Sequence, residues 1–349
     1  MILTVTPNPS LDRTYELPSL VRGAVLRAES DRVEPGGKGV NVSRAVAAAG
    51  HRTIAVAPLG GPEGALLARL LNARGIEAVG VPVAGSTRVN ITLVEPDGTL
   101  TKVNAAGPEI AAAEAEALLE AVRARSAAAD WLACCGSLPR GLTPDWYAEL
   151  VARAHRAGAR IALDTSGAAL AAALRERPDV VKPNADELAE AVGRPLATVG
   201  DAVKAAEELC GRGARAVLAS LGADGQVLVD ASGVAYHGAA PVPAGSVRSD
   251  VGAGDASLAG FLTFGGGAGP SPASGRYPQA LAAAVAHGAA AVRLPGSAMP
   301  APGDLDLAAV TVTADIPLDR PLNSKRENNR GSSRENKRGN NRKKEPCDE

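Results

Sequence analysis

The chain has 349 residues, 46% of them hydrophobic and 21% charged, with a formal net charge of −1. That is the profile of a soluble globular protein with ample material for a core, and with aromatics at only 2% the core must come largely from Ala, Val and Leu. No apolar run is long enough to span a bilayer.

Met1 to Pro7 enters a strand directly, with no signal-peptide pattern. Strands are expected at Ile2–Thr6 and Thr53–Pro58, with a helix from about Gly39 to Ala49 between them. Before that helix, Glu34-Pro35-Gly36-Gly37-Lys38-Gly39-Val40-Asn41 is a glycine-rich turn. It is not a Walker A motif, because Gly39 follows Lys38 where Ser or Thr would stand. Flexible backbone, a lysine and an asparagine one turn into the helix could still hold a hydroxylated or phosphorylated ligand; the plain reading is a turn. Leu11–Pro35 and Val83–Pro108 are rich in β-branched residues and short on helix. The second contains a hairpin whose turn is Pro96-Asp97-Gly98. Together they are expected to form a small sheet apart from the main body, able to act as a lid or to make a dimer contact.

Further strands are expected at Asp130–Cys134, Arg160–Asp164, Val180–Lys182 and Ala216–Ser220, with helices at Pro144–Ala157, Ala168–Glu176 and Gly200–Gly211. This alternation predicts an α/β fold, a mostly parallel sheet flanked by helices on both faces. Ligands then sit beyond the carboxyl ends of the strands. Asn184 and Glu187 stand at capping-box spacing, which also suits Mg²⁺ held through water. Ser220, Gly222 and Gly225 end another strand with a hydroxyl and glycines that suit nucleotide phosphates. The four cysteines (Cys134, Cys135, Cys210 and Cys347) make neither a disulfide framework nor a zinc spacing, so a reducing, cytoplasmic compartment is expected.

Ser249-Asp250-Val251-Gly252-Ala253-Gly254-Asp255 reads as a tight turn opening a helix. Such a start presents free amides and the positive end of the dipole to an anion. Asp255 would repel that anion unless it serves as a base toward an attacking hydroxyl; the plain reading makes it a helix cap. From Asn323 onward the chain has no aliphatic residue and is basic on balance, so a disordered tail is expected and nucleic-acid binding is not. No internal repeat is visible.

Taken in order, Asn8-Pro9-Ser10-Leu11-Asp12, Gly36 to Asn41, Thr87-Arg88-Val89-Asn90, Gly136-Ser137-Leu138-Pro139, Lys182-Pro183-Asn184 with Glu187, Ser220-Leu221-Gly222 and Val251 to Asp255 resemble the ribokinase/PfkB sugar-kinase family, most closely its phosphosugar branch. The resemblance covers about residues 1–322. It implies a ribokinase-like body over 1–10, 36–82 and 109–322, a β-sheet lid over 11–35 and 83–108, and a tail over 323–349. It further implies ATP and Mg²⁺ as cofactors and a ketohexose phosphate as acceptor. Fructose 1-phosphate leads, with tagatose 6-phosphate and fructose 6-phosphate as alternatives; a non-catalytic sugar-phosphate sensor is the reading from another class.

By the resemblance, Asp255 is the base and Gly252, Ala253 and Gly254 the anion hole. Asp12, Gly37, Lys38, Asn41, Arg88, Asn90 and Ser137 would bind the sugar phosphate. Lys182, Asn184, Ser220, Gly222 and Gly225 would lie on the ATP side, with Asn184 and Glu187 at the Mg²⁺. Two departures stand out: Cys134-Cys135 replaces a usual hydroxyl before Gly-Ser-Leu-Pro, and Asp250 replaces a usual threonine.

Overall fold

The computed structural model describes residues 1–264 and 276–323; of the expected tail only Asn323 falls among them, and the rest lies outside. The chain runs β1 (Ile2–Val5), β2 (Ser10–Glu16), β3 (Ser30–Gly36), α1 (Lys38–Ala48), β4 (Thr53–Leu59), α2 (Gly61–Asn72), β5 (Glu77–Pro82), β6 (Arg88–Val94), β7 (Leu100–Val103) and α3 (Ala112–Ser126). It continues with β8 (Trp131–Cys135), α4 (Asp145–Arg156), β9 (Arg160–Asp164), α5 (Gly167–Leu174), β10 (Val180–Val181), α6 (Ala185–Val192), α7 (Val199–Gly211) and β11 (Ala216–Ser220). Last come β12 (Gln226–Asp230), β13 (Ala235–Ala239), α8 (Ala253–Thr263), α9 (Tyr277–Ala291) and β14 (Thr311–Thr313).

Ten strands form one sheet in the order β14-β13-β12-β11-β10-β9-β8-β1-β4-β5. The run from β11 to β5 is parallel, and β12, β13 and β14 extend one edge antiparallel. Strand period explains the apolar runs: in β8, Leu132 and Cys134 face one core cluster while Trp131, Ala133 and Cys135 face the other. The first cluster holds Leu118 of α3, Leu150 of α4 and Leu209 of α7. The second holds Val42 of α1, Phe261 of α8 and Leu281 of α9. Helix α8 is buried from Asp255 to Thr263, which is why its sequence is almost wholly apolar or small. A Cβ on its Gly260 would meet His287 and the Ala283 carbonyl of α9, so glycine permits the close approach of the two helices.

A second sheet of four strands runs β3-β2-β6-β7. The expected hairpin is present as β6–β7: Gly98 takes φ 87° and the Thr99 amide donates to Asp97 Oδ1 at 2.9 Å. Among the described residues no helix is long and apolar enough to cross a membrane.

Candidate active site

The turn at residues 249–255 forms as a helix start. Gly252 is the N-cap of α8 in the left-handed region (φ 79°), a conformation that costs glycine nothing, and no side chain caps the helix. The capping reading of Asp255 therefore fails, because Gly252 occupies that position and Asp255 sits in the first turn, only 7% exposed. Its carboxylate instead accepts a hydrogen bond from Asn41 Nδ2 of α1 at 2.9 Å. Burial, followed by the negative charge of Asp164, pushes the Asp255 carboxyl up to about 6, against the opposing pull of Asn41, Lys182 and Lys38. A carboxylate so placed ionises near neutrality and is poised to take a proton.

Asp164 is a member of the site that sequence reasoning missed. It ends β9 and is 1% exposed. Lys38 Nζ donates to its Oδ1 at 2.6 Å, and Lys182 Nζ lies 3.0 Å from its Oδ2. Burial opposes the Asp164 charge, but the two lysines outweigh burial and hold its carboxyl below the usual range. Burial likewise opposes the ammonium groups, and carboxylates outweigh it, so Lys38 and Lys182 both lie above their usual range. Lys182 Nζ abuts Gly254, so a cation stands at the start of α8. Lys38 also donates to Glu187 Oε1 at 3.0 Å.

Helix α1 ties these groups together. Its N-cap, Gly37, takes φ 107°, and no side chain caps it. Asn41 reaches Asp255, Lys38 reaches Asp164 and Glu187, and Gly36 lies against Asp12 of the small sheet. There Asp12 Oδ1 accepts from Ser10 Oγ at 2.8 Å and from Asn90 Nδ2 at 2.9 Å. Arg88 spends two donors on the Asn8 and Ala105 carbonyls, at 3.0 and 2.9 Å, which braces the segment after β7 against the turn after β1.

On the other side, Asn184 and Glu187 form a capping box on α6: the Glu187 amide donates to Asn184 Oδ1 at 2.9 Å and the Asn184 amide to Glu187 Oε2 at 3.0 Å. Their oxygens are thus partly committed. Among the described residues no group of three or more His, Cys, Asp or Glu could cage a metal ion. This donor set fits an ion held mainly by a ligand's phosphates and touched through water, the usual habit of Mg²⁺. Asn184 bridges Ser220 in parallel register, so both stand at the carboxyl ends of neighbouring interior strands. Gly222 (φ 63°) has open space around it, whereas Gly225 packs on Gly238 and Ala239. Ser137 is exposed just past β8. Cys134 and Cys135 are fully buried, one in each core cluster, so they belong to the packing of β8. The exposed Asp250 offers its carbonyl to the Ala253 amide at 3.4 Å.

Residues 6–302 match the family model of the pfkB family carbohydrate kinases. The chain is 41% identical over 266 residues to a 1-phosphofructokinase of Rhodobacter capsulatus, covering 75% of this chain and 82% of that one. It is also similar to the solved structure of phosphofructokinase-2 from Escherichia coli in complex with potassium: TM-score 0.79 and 31% identity, covering 87% of this chain and 96% of that one. The ribokinase of Arabidopsis thaliana, at 22% identity and TM-score 0.68, covering 87% of this chain and 96% of that one, shares the fold.

Proposed function

We propose that this chain, which belongs to the pfkB family of carbohydrate kinases, transfers the γ-phosphoryl group of ATP to the free primary hydroxyl of fructose 1-phosphate, giving fructose 1,6-bisphosphate and ADP. The observation that carries the reaction type is a buried carboxylate, Asp255, in the first turn of an uncapped helix with a lysine beside it. Asp255 takes the proton of the acceptor hydroxyl as that oxygen bonds to phosphorus and the bond to the ADP oxygen breaks. The amides of Gly252, Ala253 and Gly254, with Lys182, lower the energy of charge on the transferring group. Mg²⁺ would neutralise charge on the nucleotide phosphates, touched through water by Glu187 beside Asn184.

Asp12, Asn90 and Arg88 on the small sheet, with Gly37, Lys38, Asn41 and Ser137, hold the sugar phosphate, while Ser220, Gly222 and Gly225 line the nucleotide side. The small sheet serves as the lid that keeps water from competing as acceptor. Exposed Val25, Leu100 and Val103, in or beside it, offer a contact to a second copy of the chain, which light scattering tests. A buried base is of no use to a non-catalytic sensor, and that reading is set aside.

The closer likeness to a 1-phosphofructokinase supports the choice of sugar. The test is ADP release from Mg-ATP with fructose 1-phosphate, fructose 6-phosphate and tagatose 6-phosphate supplied separately. We expect kcat/KM to favour fructose 1-phosphate by about tenfold or more. Turnover with only a 6-phosphate would reassign the substrate, and none with any sugar would end the kinase reading of this site.

Gly36→Ala tests the sugar side. A Cβ at Gly36 would overlap the Asp12 carboxylate and force it off Ser10 and Asn90. The expected outcome is a KM for the sugar raised about tenfold or more with the KM for ATP nearly unchanged. Equal rises in both would show a general disturbance of α1.

A further inference from the structure

Asn41 can help a base only if its amide nitrogen, not its carbonyl oxygen, faces Asp255. What sets that orientation is Arg44, one turn further along α1. The Arg44 side chain is 6% exposed, and its guanidinium can only donate. Nη1 donates to Asn41 Oδ1 at 3.1 Å, to Ser297 Oγ at 3.0 Å and to the Pro35 carbonyl at 3.2 Å. Nη2 donates to Glu34 Oε1 on β3 at 2.9 Å, and Ser297 Oγ reaches Glu34 Oε2 at 3.3 Å. An oxygen of Asn41 must therefore face the guanidinium, and its NH₂ is left pointing at Asp255.

We propose that Arg44 is a positioning residue for Asp255: held by Glu34 of the small sheet and by Ser297, it locks the Asn41 amide so that it donates to the base. The orientation itself is a matter of geometry; its value to turnover rests on the role given to Asp255 above. Turning the Asn41 amide over would set its carbonyl oxygen against the carboxylate and remove a bond that favours the ionised form. The other groups facing Asp255 are Lys38 of α1, Lys182 after β10, Asp164 of β9 and the buried thiol of Cys135 in β8, and none of these touches Arg44. The arrangement also runs a continuous path from β3, through Glu34, Arg44 and Asn41, to the base.

The test compares wild type with Arg44→Lys, Arg44→Gln and the double variant Arg44→Gln/Glu34→Gln, which leaves no carboxylate without its partner. Arg44→Lys keeps the charge but cannot reproduce the fork. Two readouts of the Asp255 titration midpoint are taken: the acidic limb of kcat against pH, and the pH at which the Tm difference between each protein and its Asp255→Asn counterpart stops growing. The second needs no turnover, so it reports on Arg44 even if the kinase reading fails.

Both midpoints are expected to move toward neutral pH in all three variants, by about half to one pH unit. A one-unit move lowers kcat about threefold at pH 6.5 and has little effect above pH 8.5. A merely structural role would lower Tm and leave both midpoints in place, and that result would overturn the proposal. So would a shift in Arg44→Gln without one in Arg44→Lys, since charge alone would then account for it.

Discussion

Asp255→Asn is expected to lower kcat by about 10²–10⁴ while the affinity for ATP stays nearly intact, because it removes a positioned proton acceptor and little else. The same substitution is expected to raise Tm at neutral pH. The folded-state carboxyl lies at about 6, above the ordinary 3.8, because burial and Asp164 work against its charge. Below about pH 3 the group is protonated in both states and costs nothing. Between about pH 4 and 6 the unfolded chain ionises at this position while the folded state holds the proton, so the folded state loses on the order of 2–3 kcal/mol, and the loss levels off above pH 6. Asparagine carries no such cost and can still accept from Asn41. Tm values from pH 3 to 8 should therefore coincide at the acid end, separate between about pH 4 and 6 and keep a constant gap above that, with the variant the more stable. Normal turnover in the variant would end the role given to Asp255, and a Tm difference that ignores pH would show that its carboxyl is not perturbed as described.

The helix start that carries Asp255 was legible in the sequence because its pattern is local. Two glycines, a carboxylate and an apolar run fall within one turn and a helix, and α8 forms there with Gly252 as its cap. The glycine-rich start of α1 was legible for the same reason. Asp164 was not. A carboxylate after three apolar positions of a strand is ordinary, and its partner Lys38 lies 126 residues away, so only the parallel order of β1, β8, β9 and β10 brings the two together. Arg44 escaped notice because a basic residue on a helix is usually solvated; here it is buried between a strand of the small sheet and a loop after α9. The antiparallel edge was not announced, because β12 and β13 follow β11 with no α-helix between them and β14 is a three-residue strand reached only after α8 and α9. Cys134 and Cys135 looked like a departure within the site, yet strand period turns one to each face of the sheet and keeps both thiols in the core.

Asp164→Asn is expected to be the most destabilising single change at the site. It leaves Lys182, 5% exposed, without the carboxylate that offsets its burial, and loosens Lys38 as well. Breaking a buried pair from one side costs about 3–5 kcal/mol, since an uncompensated charge remains inside. The pH dependence should differ in kind from that of Asp255. The Asp164 carboxyl is held below its usual range, so its contribution is present above about pH 4 and is lost as pH falls through the folded value. Lys38 and Lys182 are held above their usual range, so theirs is present below about pH 10 and is lost as pH rises through the folded values. Between pH 7 and 9, above the Asp255 titration that Asp164 also influences, the stability difference from wild type should be flat. Urea unfolding across that window measures it, and a loss below about 1 kcal/mol, or one that varies steeply with pH inside the window, would show that the cluster does not hold this end of the sheet together. Adding Lys182→Met to Asp164→Asn should recover part of the loss, because removing the second buried charge removes the penalty that the first substitution exposed.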